Sequence, residues 1–281
     1  MQRLLITGAS GTLGRNVARI AQQQGWEVSG TYYTAPPPLP GQWRWLDMGD
    51  RDAVMAVIRQ SQPTAIVHTA FLQRGPAMWA TNADGSAFVA LAAQASGVRL
   101  IHVSSDAIFD GTSSPYTEAA RPNPLTPYGA AKAAAETAVS AIAPQAAIVR
   151  TSLIISREPL DPQTRLIFDL VSGVRPEQLF TDQFRCPVGV DDLAGAIIEL
   201  AANDFAGVIN VAGSDALSRH ELGCLIARAY QLDATRLSPA TVAANPAAIV
   251  ADVRLDSTLA RSLLTTRLRG MYEWFGVEPR P

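Results

Sequence analysis

Short, almost continuous apolar runs alternate with longer stretches of helical periodicity through the first half of the chain. Arg3–Thr7, Glu27–Thr31, Ala65–Ala70, Val98–Ser104 and Ala146–Thr151 each read as a strand buried on both faces, and Trp45-Leu46-Asp47 as a shorter one. Between them Leu13–Gln24, Asp50–Gln60, Ala77–Ser96 and Tyr128–Ala141 read as helices. The punctuation agrees: Asp50 stands where an N-cap is needed, Thr126-Pro127 can cap and start a helix, and Gly25 and Gly97 close two others. The proline-rich segment Ala35–Pro40 excludes regular structure. Strands and helices in this alternation predict an α/β fold, a doubly wound parallel sheet covered on both faces.

After Thr151 the regularity weakens. Arg157–Pro162 reads as a loop, and Pro176 and Pro187 interrupt the stretch beyond it. Asp191–Asn203 and Ser218–Tyr230 are expected as helices, the second opening on a capping box, and Val208–Ala212 as one more strand. The expected division is a dinucleotide-binding Rossmann domain from residues 1–153 and 186–213, with a smaller C-terminal substrate lobe from 154–185 and 214–281 over the carboxyl ends of the strands.

Bulk properties narrow the partners. The chain has 281 residues, 48% of them hydrophobic, enough for one large α/β domain with a sizeable core. A net charge of -2 with no basic run argues against nucleic acid. No apolar stretch approaches the roughly 18 residues of a membrane span, and a strand beginning near Leu4 leaves no room for a signal peptide, so a cytoplasmic location is expected. Cys186 and Cys224 are read as reduced thiols. The three histidines lack metal-ligand spacing, and His68 and His102, inside apolar strands, are expected to be satisfied core side chains rather than catalysts.

Candidate chemistry begins at Thr7-Gly8-Ala9-Ser10-Gly11-Thr12-Leu13-Gly14, between a strand and a helix. Glycines in a loop are often only turn formers, but this context fits a dinucleotide site. Gly8 turns the chain, Gly11 leaves room for a pyrophosphate and Gly14 lets helix and strand pack closely. Ser10, Thr12 and Leu13 lie among them, where first-turn amides face phosphate. Farther on, Tyr128 and Lys132 fall on one helical face, where an ammonium and the positive helix end would lower a phenol's pKa from ~10 toward neutrality. Such a phenol exchanges a proton with a carbonyl oxygen, although the spacing also occurs where a tyrosine packs and a lysine is solvated. Val103-Ser104-Ser105-Asp106 ends the preceding strand, placing a serine either toward the crevice or as the cap of the next turn.

With these motifs in this order, the chain resembles the extended short-chain dehydrogenases/reductases, and within them the dTDP-4-dehydrorhamnose reductase group. The likeness also runs through Ala107-Ile108-Phe109-Asp110-Gly111, Pro115-Tyr116-Thr117-Glu118, Pro122, Pro124, Asp182-Gln183-Phe184-Arg185-Cys186-Pro187, Asp191-Asp192-Leu193-Ala194, Leu255-Asp256 and Leu263. The resemblance implies an NAD(P)H-dependent reductase of a carbonyl on a nucleotide-activated sugar. Tyr128 would be its general acid, Lys132 would hold the nicotinamide ribose, and Ser105 would orient the carbonyl. It also implies that Asp47 and Met48 contact adenine, that Thr69, Ala70 and Phe71 line the cofactor, and that Asn82 is structural. Leu153 replaces a tryptophan usual in the group and Ile249-Val250 an Arg-Pro pair, both positions that bear on substrate recognition. A homodimer is compatible with the resemblance.

Cofactor preference is normally set at the end of the second strand, where a carboxylate favours NAD(H). Gly30-Thr31-Tyr32-Tyr33 carries none, so NADP(H) is expected over NAD(H), with Thr31 and Tyr32 at the cofactor. Arg15 is either a phosphate partner or a solvated helix side chain. Two other readings stand beside the reductase of an activated sugar: a reductase or epimerase of another small carbonyl compound, and a cofactor-binding regulatory subunit without turnover, as in the family's relative that modulates methionine adenosyltransferase.

Overall fold

Seven parallel strands form one sheet in the computed structural model, which describes residues 2–242 and 250–279. In chain order they are β1 (Arg3–Thr7), β2 (Glu27–Tyr32), β3 (Gln42–Trp45), β4 (Ala65–His68), β5 (Arg99–Val103), β6 (Ala147–Arg150) and β7 (Gly207–Asn210). Across the sheet the order is β7-β6-β5-β4-β1-β2-β3, parallel at every pairing. The order reverses between β1 and β4, the switch point of the sheet, and in such folds the crevice lies at the carboxyl ends of the strands.

The helices are α1 (Thr12–Gln23), α2 (Arg51–Ser61), α3 (Gly85–Ser96), α4 (Pro127–Ile142), α5 (Pro162–Ser172), α6 (Val190–Ala202), α7 (Arg219–Ala229), α8 (Thr258–Leu263) and α9 (Met271–Phe275). Strand side chains alternate between two cores, as the period of two requires. Leu4, Ile6 and Val67 meet Val17, Leu193 and Ile197 of α1 and α6 on one face. Leu5 and Ile66 meet Val54, Val89 and Val139 of α2, α3 and α4 on the other. A further core gathers α5, α7 and α9 around Ile167, Leu170, Leu222, Ile226 and Trp274. No helix among the described residues is long and apolar enough to cross a membrane.

Several elements differ from the sequence pattern. Strand β3 ends at Trp45, whereas the pattern predicts Trp45–Asp47, which leaves Leu46 and Asp47 in the following loop. The expected helix Ala77–Ser96 contains a wide π turn over Ala80–Asp84. That turn lies where the backbone crosses the Met48 segment so closely that a Cβ on Gly85 would stand 2.8 Å from the Met48 carbonyl oxygen. Helix α5 is absent from the predicted elements, although its signal is present. Asp161 caps it by accepting from Gln163 N and Thr164 N, Pro162 starts it, and Gly173 ends it at φ 79°. His68 is satisfied, with Nδ1 2.6 Å from Thr7 Oγ1 and Nε2 2.9 Å from Ser86 Oγ. His102 is not: neither ring nitrogen has a hydrogen-bond partner among the described residues, and burial, with Lys132 and His68 adding to it, holds its pKa well below the usual value.

One buried ion pair joins the elements beneath the crevice. Arg150, at the end of β6, donates from Nε and Nη2 to the Glu136 carboxylate of α4, with Nη2 at 2.8 Å. Its Nη1 donates to the carbonyls of Glu118 and Ala120, and the guanidinium lies 5.2 Å from the centre of the Phe109 ring. The intervening loop is tied locally by Asp110. Its carboxylate accepts from Thr112 N and Oγ1, Tyr116 OH and Asn123 Nδ2, bonds that hold its pKa down at about 2. The Phe109–Glu118 motif is thus explained by loop structure. Because Arg150→Met strands the Glu136 carboxylate in the interior, it should lower the unfolding free energy by about 3–5 kcal/mol, and the double replacement Glu136→Met/Arg150→Met by much less. Urea denaturation of the two variants checks this.

Candidate active site

The crevice is walled by three segments that the fold brings to the carboxyl ends of the strands. The first is the glycine loop. Gly8 has φ 72°, and a Cβ on it would lie 2.7 Å from Ala70 Cα, so the loops after β1 and β4 touch through a position that only glycine fills. Gly14 crosses the same turn, and its Cβ would sit 2.4 Å from the Gly8 carbonyl oxygen. Gly11 differs, since a Cβ there meets only Gly8 O at 3.3 Å and otherwise projects into open space. The turn is also tied to β2 by Ala9 N donating to Thr31 O at 2.8 Å.

The second segment follows β4. Thr69 donates through Oγ1 to Thr7 O at 2.7 Å, Ala70 backs the glycine turn, and Phe71 projects with 53% of its surface exposed. Asn82 holds this loop by accepting from Leu72 N and donating to Leu72 O. Gly8, Ser10, Gly11, Thr31, Tyr32, Asp47, Met48, Thr69, Ala70 and Phe71 together line a pocket of about 200 Å³. The Asp47 carboxylate accepts from Gly49 N within its own loop.

The third segment carries the polar chemistry. Thr126 caps α4 by accepting from Gly129 N, Pro127 begins it, and Tyr128 follows in the first turn with its ring edge-on to Phe71 at 6.3 Å. Ser105, Tyr128 and Lys132 line one cleft of about 900 Å³ that extends to Gly11, Thr12, Leu13 and Gly14. Lys132 is buried and donates to Val103 O at 2.6 Å. An ammonium has three donors, so two remain for the cleft. Burial lowers its pKa to about 8, with the Glu136 carboxylate opposing. Ser105 has both expected roles, lining the cleft while its Oγ accepts from Ala107 N at 3.2 Å.

The expected lowering of the Tyr128 pKa is corrected. Burial pushes the phenol up to about 12 and the Asp106 carboxylate adds to this, while a hydrogen bond from Ser105 opposes it. At neutral pH the phenol therefore holds its proton. Asp106, which the sequence presents only as part of its motif, lines the cleft. It accepts from Ser152 Oγ at 2.7 Å and lies 3.7 Å from Arg185 Nε, and burial raises its pKa against those partners. Arg74, Gln163, Gln183, Arg185, Leu153 and Val250 also line the cleft, whereas Ile249 lies outside the described residues. Sequence spacing carries no signal for Arg74 or Gln163, because only tertiary folding brings the loop of the one and the first turn of α5 that holds the other to the same cleft. Among the described residues, no group of three or more His, Cys, Asp or Glu is placed to hold a metal ion.

The residues present fit a dinucleotide. A helix N-terminus and a glycine stripped of its side chain face a cleft that continues into a second pocket of adenosine size. Residues 1–271 match the family described as RmlD substrate binding domain. The chain belongs to that family. The methionine adenosyltransferase 2 subunit beta of Bos taurus is 33% identical over 255 residues, which cover 85% of this chain and 75% of that one. The dTDP-4-keto-6-deoxy-D-glucose reductase of Streptomyces niveus is 31% identical, covering 84% and 82% of the two chains. Among solved structures, dTDP-4-dehydrorhamnose reductase from Bacillus anthracis in complex with NADP matches with a TM-score of 0.84, covering 98% of this chain and 97% of its own, at 22% identity. That likeness is one of fold: the seven-stranded Rossmann sheet is the frame of the dTDP-sugar reductases.

The glycine geometry predicts that Gly11 and Gly14 respond differently to an added side chain. Gly11→Val should leave secondary structure and melting temperature near those of the parent but abolish NADPH binding, whereas Gly14→Val should fail to fold, its Cβ having no space. Circular dichroism and isothermal titration of both variants check this, and parental NADPH affinity in Gly11→Val would sink the assignment.

Proposed function

We propose that the protein is an NAD(P)H-dependent reductase of a carbonyl on a nucleotide-activated sugar. The observation that carries this reading is one cleft shared by the glycine loop at one end and Ser105, Tyr128 and Lys132 along its wall. The dinucleotide, when bound, supplies the hydride. Tyr128, protonated at neutral pH, gives its phenolic proton to the carbonyl oxygen. Ser105 donates to the same oxygen and orients it. Lys132 uses its two remaining donors on the nicotinamide ribose.

Charge in the cleft supports an anionic substrate. Arg74, Lys132 and Arg185 line it with Asp106 and Asp161, and Asp161 is spent on capping α5 and on Ser156 N. A nucleotide diphosphate group matches that balance. Residues 154–185 and 214–281 would form the lobe that receives it, over a dinucleotide domain of 1–153 and 186–213. NADP(H) is preferred over NAD(H) in this reading because Thr31 and Tyr32 end β2 without a carboxylate to repel a 2′-phosphate.

A second reading is favoured by one finding, the 33% identity to a methionine adenosyltransferase 2 subunit beta. In it the same cleft binds dinucleotide without turnover and the protein serves a partner enzyme. Steady-state kinetics with nucleotide-sugar ketones separates the two. Under the reductase reading, Tyr128→Phe should reduce kcat by about 10²–10⁴-fold while leaving NADPH affinity near parental. Ser105→Ala, the loss of one neutral hydrogen bond, should cost about 0.5–1.5 kcal/mol in the barrier. Turnover in Tyr128→Phe equal to the parent would remove the tyrosine from the chemistry, whereas a parent that binds dinucleotide without turnover and co-purifies with a methionine adenosyltransferase would favour the second reading.

The pH dependence follows from Lys132. Its pKa is lowered to about 8, so the charged form that holds the ribose is present below that pH and is lost as pH rises through it. Tyr128, pushed up to about 12, stays protonated over the same range. NADPH affinity measured from pH 6 to 10 should therefore be flat on the acid side and weaken above about 8. A profile that stays flat to pH 10 would remove the ammonium from this role.

A further inference from the structure

We propose that Gln163 and Gln183 form a substrate subsite that reads a planar ligand edge on which an N–H stands beside an acceptor atom. The proposal rests on the nucleotide-sugar reading of the cleft and names what one part of that cleft recognises. Both half-buried side chains line the larger cleft, Gln163 from the first turn of α5 and Gln183 from the segment before Phe184. Arg219, at the start of α7, ties the two together. Its backbone N donates to Gln183 O at 2.9 Å, and its guanidinium donates to Gln163 Oε1.

These contacts decide which way round each amide sits. A guanidinium only donates, so the Gln163 atom facing Arg219 is the carbonyl oxygen and the NH2 group is left over. A backbone carbonyl only accepts, so the Gln183 atom 3.1 Å from Val250 O is the nitrogen and the side-chain oxygen is left over. Neither Gln163 Nε2 nor Gln183 Oε1 has a hydrogen-bond partner among the described residues. Nearby charge is spent elsewhere. Arg185 donates from Nη1 to Phe184 O and Ala251 O and from Nη2 to Val250 O, while Asp161 accepts from Ser156 N, Gln163 N and Thr164 N. The pair therefore offers one fixed donor and one fixed acceptor, with Pro162 and Val250 lining the same cleft as apolar surface beside it. A hydroxyl donates or accepts as needed and gains no discrimination there, whereas an amide-type edge has fixed polarity. A ligand without that edge leaves both amides unpaired, which is how polar sites reject analogues. Two parts of a nucleotide-activated sugar carry such an edge, the nucleobase and an acetamido substituent on the sugar.

Isothermal titration of the full chain with NADPH present tests this, first with UDP, dTDP, CDP, GDP and ADP, then with UDP-glucose against UDP-N-acetylglucosamine. Gln163→Glu is the sharpest variant, because its carboxylate keeps the acceptor for Arg219 and removes the donor. Gln183→Leu removes the acceptor. If the base carries the edge, the parent should prefer one diphosphate by about tenfold or more, and each variant should bring the panel within about threefold. If the acetamido group carries it, the diphosphates should bind alike, and a similar preference for UDP-N-acetylglucosamine over UDP-glucose should collapse in both variants. NADPH affinity and melting temperature should stay parental in Gln163→Glu. Loss of NADPH affinity along with the preference would make the glutamines part of the framework and overturn the proposal. A parent with neither preference, or a preference that survives both variants, overturns it while leaving the nucleotide-sugar reading in place. A parent that binds NADPH but none of these nucleotides overturns that reading and the proposal with it.

Discussion

The site depends on how closely two stretches of backbone pass at the start of α1. Gly14 stands so near the Gly8 carbonyl that one added carbon would lie 2.4 Å from the oxygen, and Gly8 is as tightly placed against Ala70. These contacts seat the helix directly on the β1 turn and the β1 turn directly on the β4 loop. Its first-turn amides then face the crevice where the strand order reverses. Gly11, between the two, has space in front of it, so the same short motif holds two tightly packed positions and an open one.

On the opposite wall, burial governs the chemistry. It disfavours charge on both members of the tyrosine–lysine pair, raising the phenol and lowering the ammonium. The phenol thereby keeps its proton at neutral pH, and the ammonium is brought close to the pH at which it can lose its charge. Arg150 secures the frame for this pair by fixing Glu136, one turn beyond Lys132, to β6 and to the loop between Phe109 and Ala120. The Glu136 carboxylate in turn offsets part of the burial cost of the lysine.

The relatives of this chain include one named for sugar reduction and one named as a subunit of another enzyme. Function on such a frame is decided by the site rather than the sheet. In this chain Leu153 and Val250 line the cleft beside Arg185 and Asp106, which stand 3.7 Å apart.

Most of the frame could be read from local patterns. Buried parallel strands are apolar on both faces, and the Asp50, Thr126-Pro127 and Ser218 starts are set by backbone groups within a few residues of the cap. The order of the glycine loop, Ser105, Tyr128 and Lys132 was legible for the same reason, since a strand end and a helix face are short-range properties. The Asp161-Pro162 start of α5 carried equally local information, but the prolines around it masked the signal. Other features depended on residues far apart in sequence meeting in space. The direction of the Tyr128 shift follows from how deeply the folded chain buries it and from Asp106 beside it, which outweigh the helix-face argument. The His102 nitrogens, unpartnered among the described residues, the convergence of Arg74, Gln163 and Arg185 on one cleft, and the seating of Arg15 against Ser10 likewise have no fixed sequence spacing. Periodicity and capping act over a turn or two and are written in the chain, whereas desolvation and charge proximity are set by which distant segments the sheet order makes neighbours.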